Sequence, residues 1–280
     1  MGQAASDQGG VPDLPGGSMT AGPLQGAASA ELQIRQGTDG SFSLWSASFG
    51  EGFHSGRGAL REARETFLGP SQLERFAPGS SLRVLEVCVG TGTNLGVLLE
   101  ACAARGLHLE WWGLELDPRP LQLALTSDAF RLPWRPSTLV ALEQLLACGI
   151  WQGEGASCRL LWGDARQTLG ELLRRERAMP IDLVWHDAFS PQHCPQLWTV
   201  EFLAGLAEIL KEGGRWISYC SAAAVREGLR LANLNVVALT TTGDAGPGNP
   251  EAACGALAEG TKRAAGPGAK ADPVEGAERA

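Results

Sequence analysis

The stretch Arg83-Val-Leu-Glu-Val-Cys-Val-Gly-Thr-Gly-Thr-Asn94 constrains the fold more than any other part of the chain. Residues of buried-strand character run into an acid, then a glycine turn, then an apolar-periodic segment through Leu95 and Leu99. Gly90 and Gly92 allow a sharp turn and leave room for a ligand against the backbone. Thr91 or Thr93 offers a hydroxyl to cap the helix that follows. A strand, glycine turn and helix at the front of an α/β domain is where nucleotide-like cofactors sit. The spacing is not the G-x-G-x-x-G of dinucleotide sites, because Cys88 stands where the first glycine belongs.

Glu86 separates the options. A carboxylate beside the turn repels a pyrophosphate and holds an ammonium. That favours S-adenosylmethionine (SAM), which carries an amino-acid tail, a sulfonium and no phosphate. The competing reading is a structural turn with a surface glutamate.

From Ser80 onward strands alternate with helices. The strands expected are Leu82–Val87, Leu109–Glu115, Arg159–Trp162, Ile181–Asp187, Arg215–Cys220 and a sixth over Val236–Thr240. The helices expected are Leu95–Arg105, about Pro120–Phe130, Ser137–Cys148 inside a long insertion, one from Asp164 to about Arg177, Gln196–Leu210, ended by Gly213-Gly214, and Ala222–Ala232. Such alternation predicts an α/β fold, a Rossmann-like, doubly wound parallel sheet. Upstream, Phe42, Leu44, Trp45 and Phe49 predict a short strand or hairpin. Leu60, Ala63, Phe67 and Leu68 predict a helix over Gly58–Leu68, with a second short helix between Pro70 and Pro78. Residues 1–38 and 243–280 are rich in Gly, Ala and Pro, and are expected to be disordered. The domain expectation is therefore a tail (1–38), an N-terminal segment packed on the core (39–78), the cofactor domain (79–242) and a second tail (243–280).

Charge and cysteines narrow the class. The net charge of −8 gives no attraction to nucleic acid or anionic membrane. Seven cysteines without a Cys-x-x-Cys pair argue against a disulfide framework and a zinc knuckle, and for reduced thiols in the cytoplasm. No apolar run is long enough to span a membrane, and the N-terminus lacks a secretory pattern.

Ligands of an open α/β sheet sit beyond the carboxyl ends of its strands. Acids collect there: Glu86, then Glu115 and Asp117, then Asp164, then Asp187. Glu115 has the two oxygens needed to accept from both ribose hydroxyls. Asp164 with the Ala165 N–H suits an adenine edge. Either Asp164 or Asp117 also suits a plain helix N-cap. Asp187 opens the loop Asp187-Ala-Phe-Ser-Pro-Gln-His-Cys-Pro-Gln-Leu-Trp198, placed to take a proton or a hydrogen bond from an amine about to be alkylated. Phe189, Pro191 and Trp198 are candidates to contact a flat substrate, with Trp198 equally suited to the core. His186 directly precedes Asp187 and points to the opposite face, so no metal-ligand set forms there.

In this order the motifs resemble one family. Asp39-Gly-Ser-Phe-Ser-Leu-Trp45, Phe49-Gly-Glu-Gly-Phe-His-Ser-Gly-Arg-Gly-Ala-Leu60, Glu86 through Asn94, Asp187-Ala-Phe-Ser-Pro191, Pro195-Gln-Leu-Trp-Thr199 and Ser221 through Leu229 resemble the MnmC-type methyltransferase domain. That domain is the SAM-dependent half of the bifunctional tRNA 5-methylaminomethyl-2-thiouridine biosynthesis proteins. The resemblance implies N-methylation of the 5-aminomethyl group of a tRNA wobble uridine, with tRNA as partner. It implies cofactor-binding roles for Glu86, Gly90, Gly92, Asn94, Glu115 and Asp164, and a catalytic role for Asp187. The FAD oxidoreductase half is expected to be absent. Two departures stand out. Cys88 replaces a family glycine, and after Thr240 the sequence shows no evident terminal strand, so a sheet lacking its last antiparallel strand is expected. Methyl or aminopropyl transfer to a small amine, and a non-catalytic truncated relative, are the alternatives.

Overall fold

The structure is a computed structural model that describes residues 31–153, 155–175, 180–240 and 256–262. It opens with β1 (Leu32–Gln36), β2 (Phe42–Ser46) and β3 (Glu51–Gly52), paired antiparallel in that order. A helical run follows: α1 (Ala59–Glu62), a π-helical stretch Ala63–Leu68, α2 (Gly69–Ser71) and a 3-10 turn Leu73–Arg75.

The main domain contains β4 (Ser81–Val87), α3 (Thr93–Arg105), β5 (His108–Glu115), α4 (Arg119–Thr126), α5 (Asp128–Arg131) and α6 (Pro136–Cys148). It continues with β6 (Ile150–Gly153), β7 (Ala156–Trp162), α7 (Ala165–Arg175), β8 (Ile181–His186), α8 (Val200–Ile209) and β9 (Leu210–Ser218). Next come α9 (Ala223–Leu231), β10 (Leu234–Thr240) and β11 (Ala256–Lys262). The sheet order is β10-β11-β9-β8-β4-β5-β7-β6. β4 pairs in parallel with both β5 and β8, and the chain winds outward from it in both directions. The crevice between the ends of β4 and β8 is therefore the topological switch point, where such sheets bind ligands.

Burial explains why this middle holds. Every residue of β8 is buried, as are the last four of β4. Strands covered on both faces need apolar side chains on both. Leu82, Val84, Leu183 and Trp185 pack on one face, with Leu95 and Leu98 of α3, Leu142 of α6 and Phe67 of the π-helical stretch. Leu85, Val87, Val184 and Trp216 pack on the other, with Leu169 of α7, Leu203 of α8 and Leu229 of α9. The N-terminal segment is part of the first layer through Phe42, Leu44 and Phe67.

Several expectations are corrected. β11 runs antiparallel between β9 and β10, so the terminal strand is present, inside the stretch expected to be a tail. Its sequence, Ala-Leu-Ala-Glu-Gly-Thr-Lys, has too little alternation of large apolar residues to announce a strand. Its backbone is nevertheless satisfied on both edges. β1 likewise lies within the expected N-terminal tail; residues 1–30, 243–255 and 263–280 of the two tails lie outside the described residues. β6 pairs antiparallel with β7 in a hairpin that was not anticipated. Gly213-Gly214 does not end a helix: α8 stops at Ile209, and the glycines lie within β9, where its register with β8 slips and Gly213 takes φ 71°. That is bulge behaviour. The segment between Pro70 and Pro78 is broken at Gln72, whose φ is 49°. No helix among the described residues is long and apolar enough to cross a membrane.

Candidate active site

The turn from β4 to α3 is built on three left-handed residues, Cys88 (φ 66°), Gly90 (φ 56°) and Gly92 (φ 81°). A Cβ on Gly92 would lie 3.0 Å from Leu121 Cδ1 and Leu142 Cδ2, so the turn is packed from behind. A Cβ on Gly90 would lie 3.1 Å from Phe53 Cδ1, which brings the N-terminal segment across the turn. The threonines do not cap α3; Thr91 Oγ1 and Thr93 Oγ1 bond each other at 2.8 Å. The first N–H groups of α3 therefore have no side-chain partner from a cap and face the turn.

Glu115, at the end of β5, is tied to that turn. Gly90 N donates to its Oε2 at 2.8 Å, and Leu116 N and Asp117 N donate to its Oε1 at 2.7 and 2.9 Å. Burial raises its proton affinity, and those three N–H groups oppose the rise. Oε2 keeps lone-pair capacity for a further donor, whereas Oε1 is filled by its two N–H donors, so the expected acceptance from both ribose hydroxyls is cut to one oxygen. Leu116 beside it is 64% exposed, an apolar flank at the cofactor turn that sequence reading passed over.

Glu86 is fully buried on β4. Trp111 Nε1 donates to its Oε2 at 3.0 Å, while Oε1 has no hydrogen-bond partner. Burial holds its pKa well above the ordinary carboxylate value, and the charge of Asp187 pushes it further. Asp187 follows β8, where its N donates to Val87 O at 3.0 Å and locks the two strand ends together. Its Oδ2 accepts from Asn94 Nδ2 of α3 at 2.8 Å. Its pKa is also held well above the usual range, by burial first, then by the charge of Glu62, with Glu51 adding; the Asn94 bond opposes them. Glu51 and Glu62 come from the N-terminal segment and were not among the sequence candidates. The signal available was their place in the family-like stretch Phe49 through Leu60 and just beyond it.

The loop after Asp187 is pinned group by group. Tyr219 Oη donates to Ala188 O at 2.8 Å, and Trp198 Nε1 donates to Phe189 O at 2.8 Å. Ser190 N and Oγ donate to Glu51 Oε2 at 3.0 and 2.8 Å. Ser190 O accepts from His193 N and Cys194 N. Phe189 stacks on Phe49 at 4.6 Å between centroids and meets Phe53 edge-on at 5.1 Å. Phe189 and Pro191 are half-buried beside this cluster.

Trp198 is corrected. It is 7% exposed, one face lies parallel to His186 at 4.2 Å, and Phe202 and Trp216 close edge-on around that same imidazole. With that face covered and the residue buried, the indole serves the core, and its N–H holds the loop at Phe189 O. Burial drives the His186 pKa down to about 3, so this imidazole is neutral.

Asp164 stands at the start of a helix, as one of its two readings had it. Its carboxylate accepts from Arg166 N at 2.9 Å and Arg166 Nε at 3.0 Å, an arrangement at the start of α7 that lowers its pKa. Asp117 treats Arg119 in the same way at the end of β5, with both contacts at 2.9 Å. Asp-x-Arg thus recurs at two strand ends, with the acid organising a helix start. Ala165, 7% exposed, begins α7 next to this turn.

Together the site brings Glu86, Gly90, Gly92, Asn94, Glu115 and Asp187 to one crevice. Asp164 and Ala165 stand at the neighbouring strand end, and Trp198 lies behind. Buried carboxylates that repel one another, one with an orphan oxygen, suit a cationic ligand and oppose a phosphate. SAM fits that test through its ammonium and sulfonium. Among the described residues no three His, Cys, Asp or Glu side chains converge as metal ligands.

Comparison with known proteins gives the same class. Residues 142–245 match the family described as S-adenosyl-L-methionine-dependent methyltransferase. The chain is similar to the tRNA 5-methylaminomethyl-2-thiouridine biosynthesis bifunctional protein MnmC of Acidovorax sp., at 31% identity over 66% of this chain and 30% of that protein. It is similar to the MnmC of Chromobacterium violaceum at 32% identity, over 68% of this chain and 30% of that protein. The chain thus spans less than a third of the length that these relatives have. Among solved structures it is similar to MNMC2 from Aquifex aeolicus, with 29% identity, TM-score 0.67, and coverage of 84% of this chain and 71% of that one.

Proposed function

Given that this chain carries a SAM-dependent methyltransferase domain of the MnmC type, we propose that it methylates the nitrogen of the 5-aminomethyl group on a tRNA wobble (2-thio)uridine. The observation that supports this most is Asp187 itself: a carboxylate of raised proton affinity, held by Asn94 at the switch point beside Glu86. The bifunctional relatives are named for tRNA 5-methylaminomethyl-2-thiouridine, which gives the acceptor its class.

An amine reaches neutral water mostly as the ammonium, which has no lone pair to react with. Asp187 accepts that proton, and its raised pKa makes it a better base than an ordinary surface carboxylate. Asn94 fixes the carboxylate's direction throughout. SAM, when bound, supplies a methyl carbon on a sulfonium that departs as a neutral thioether. Glu86 answers the ammonium of the amino-acid tail, and Gly90 and Gly92 leave the room a side chain would fill. Glu115 Oε2 has acceptor capacity for one ribose hydroxyl. Phe189 and Pro191 form the wall on the acceptor side. One proton leaves for each methyl transferred, and an amine pre-positioned in this way loses little entropy on reacting.

The test is transfer of labelled methyl from SAM to tRNA bearing the 5-aminomethyl nucleoside, followed by nucleoside analysis. One methyl on the wobble nucleoside is expected, with Asp187→Asn slower by about 100-fold or more. Methylation of small polyamines with none on the tRNA would overturn the acceptor assignment.

A further inference from the structure

Residues 187–190, the start of the loop bearing Asp187, are held at three points by side chains from outside them. Tyr219 and Trp198 belong to the main domain, at the end of β9 and just before α8. The third, Glu51, belongs to the small N-terminal sheet, 139 residues away from Ser190 in sequence. It is the one charged group of the three. Its carboxylate takes both donors of Ser190, the backbone N–H and the hydroxyl.

The contacts around Glu51 all tie the same two pieces together. On one side of it Phe49 stacks on Phe189, and on the other Phe53 meets the same ring edge-on. Gly50 lies against the His193 ring, where an added Cβ would be 3.7 Å from Cε1. Phe53 also reaches back across Gly90 of the cofactor turn. Residues 49–53 therefore touch the acid-bearing loop and the glycine turn at once. The glycine turn has its own support in Glu115, Leu121 and Leu142, whereas Ser190 takes its side-chain acceptor from Glu51.

We propose that Glu51 is a positioning residue for methyl transfer: by holding Ser190 it fixes the loop that carries Asp187, and it registers the N-terminal hairpin against the acceptor side of the site. The inference rests on the methyltransferase reading above and adds a residue to it. An acceptor of Ser190's two donors is needed because an uncapped Ser190 N–H in a half-buried loop loses the free energy of its hydrogen bond. The aromatic contacts alone are non-directional and do not set where Asp187 points. The charge of Glu51 has a second effect, since it adds to the field that favours protonated Asp187. The other groups facing Asp187 are Glu62 from α1, Glu86 from β4, Asn94 from α3, Cys88 from the turn and Tyr219 from the end of β9.

Two variants of the full chain separate these effects. Glu51→Ala removes the acceptor. Its kcat is expected to fall roughly 10- to 100-fold, with SAM affinity changed by less than about twofold, as for a reacting group moved by a fraction of an ångström. Glu51→Gln keeps an acceptor for Ser190 and removes the charge. It is expected to restore most of kcat and to move the acidic limb of the pH–rate profile to lower pH. Hydrogen exchange provides a readout without any acceptor: amides 187–194 are expected to exchange about tenfold faster in Glu51→Ala, while β4 and β8 keep their protection. A folded Glu51→Ala protein with unchanged exchange in that loop overturns the proposal, as does an equal loss in both variants with no shift of the pH profile. If wild type methylates no acceptor, the functional reading fails while the exchange result still decides the role of Glu51.

Discussion

Asn94 Nδ2 stands 2.8 Å from Asp187 Oδ2, joining the first turn of α3 to the end of β8 across 93 residues of sequence. The contact links the two halves of the site. Asn94 follows the glycine turn, and Asp187 leads the loop after β8. Neither side chain is oriented by its own segment alone.

Asn94→Ala is therefore expected to reduce kcat/KM more than stability. A hydrogen bond to a charged group is worth about 2 kcal/mol, or roughly 30-fold in rate when it aligns a reacting group. Steady-state kinetics alongside thermal melts decide it. A melt lowered by many degrees with kcat/KM intact would place Asn94 in the scaffold instead.

Glu86 sets a pH dependence. Its folded pKa lies well above the ordinary 4.5 because burial and Asp187 disfavour the anion. A carboxyl raised in the folded state contributes stability below its unfolded pKa, and that contribution is lost as pH rises through the folded pKa. The ligand-free protein should thus lose stability as pH rises above the ordinary carboxylate range, and Glu86→Gln should lose less. Melting temperatures across the range test this; parallel curves for the two proteins would contradict it. SAM binding should be weaker in Glu86→Gln at every pH.

The strand–glycine turn–helix core was legible because its signals are local and strong. β4, β5 and β8 are short apolar runs ending in acids, and Gly90 and Gly92 punctuate them. The hidden parts depend on partners distant in sequence. β11 is a weak strand by pattern, and its edges are satisfied only because β9 and β10 flank it. Gly213-Gly214 looks like a helix stop and is a bulge, a distinction set by the neighbouring strand's register. In the site, Asp164 was legible as an acid at a strand end, but its engagement with Arg166 depends on a side chain two residues on. Trp198 was open to two roles, and the planar His186 beneath it decides for the core. Glu51 lay in view within the N-terminal motif, yet its partner Ser190 is chosen by the fold.

Cys88 carries a backbone strain that glycine would not. A non-glycine residue at φ 66° costs about 1 kcal/mol. Cys88→Gly is expected to raise the melting temperature by roughly 2–4 °C, whereas Cys88→Val, β-branched at the same φ, should lower it. Equal melts for all three would mean that the turn is not strained at this residue.

Trp198→Phe keeps the ring over His186 and removes the N–H that holds Phe189 O. Stability should fall by about 1 kcal/mol, the net worth of one hydrogen bond. KM for the acceptor should rise, because Phe189 loses its anchor, while SAM affinity stays the same. A selective loss of SAM affinity would move Trp198 to the cofactor side.

Calorimetric titration of SAM into the wild type and Glu115→Ala tests the cofactor assignment most directly. The wild type is expected to bind at micromolar strength, and the variant to lose about tenfold, near 1.4 kcal/mol, with loss of the carboxylate that holds Gly90. A folded wild type that takes up no SAM would contradict the assignment of this crevice, and with it the roles of Glu86, Glu115 and Asp187.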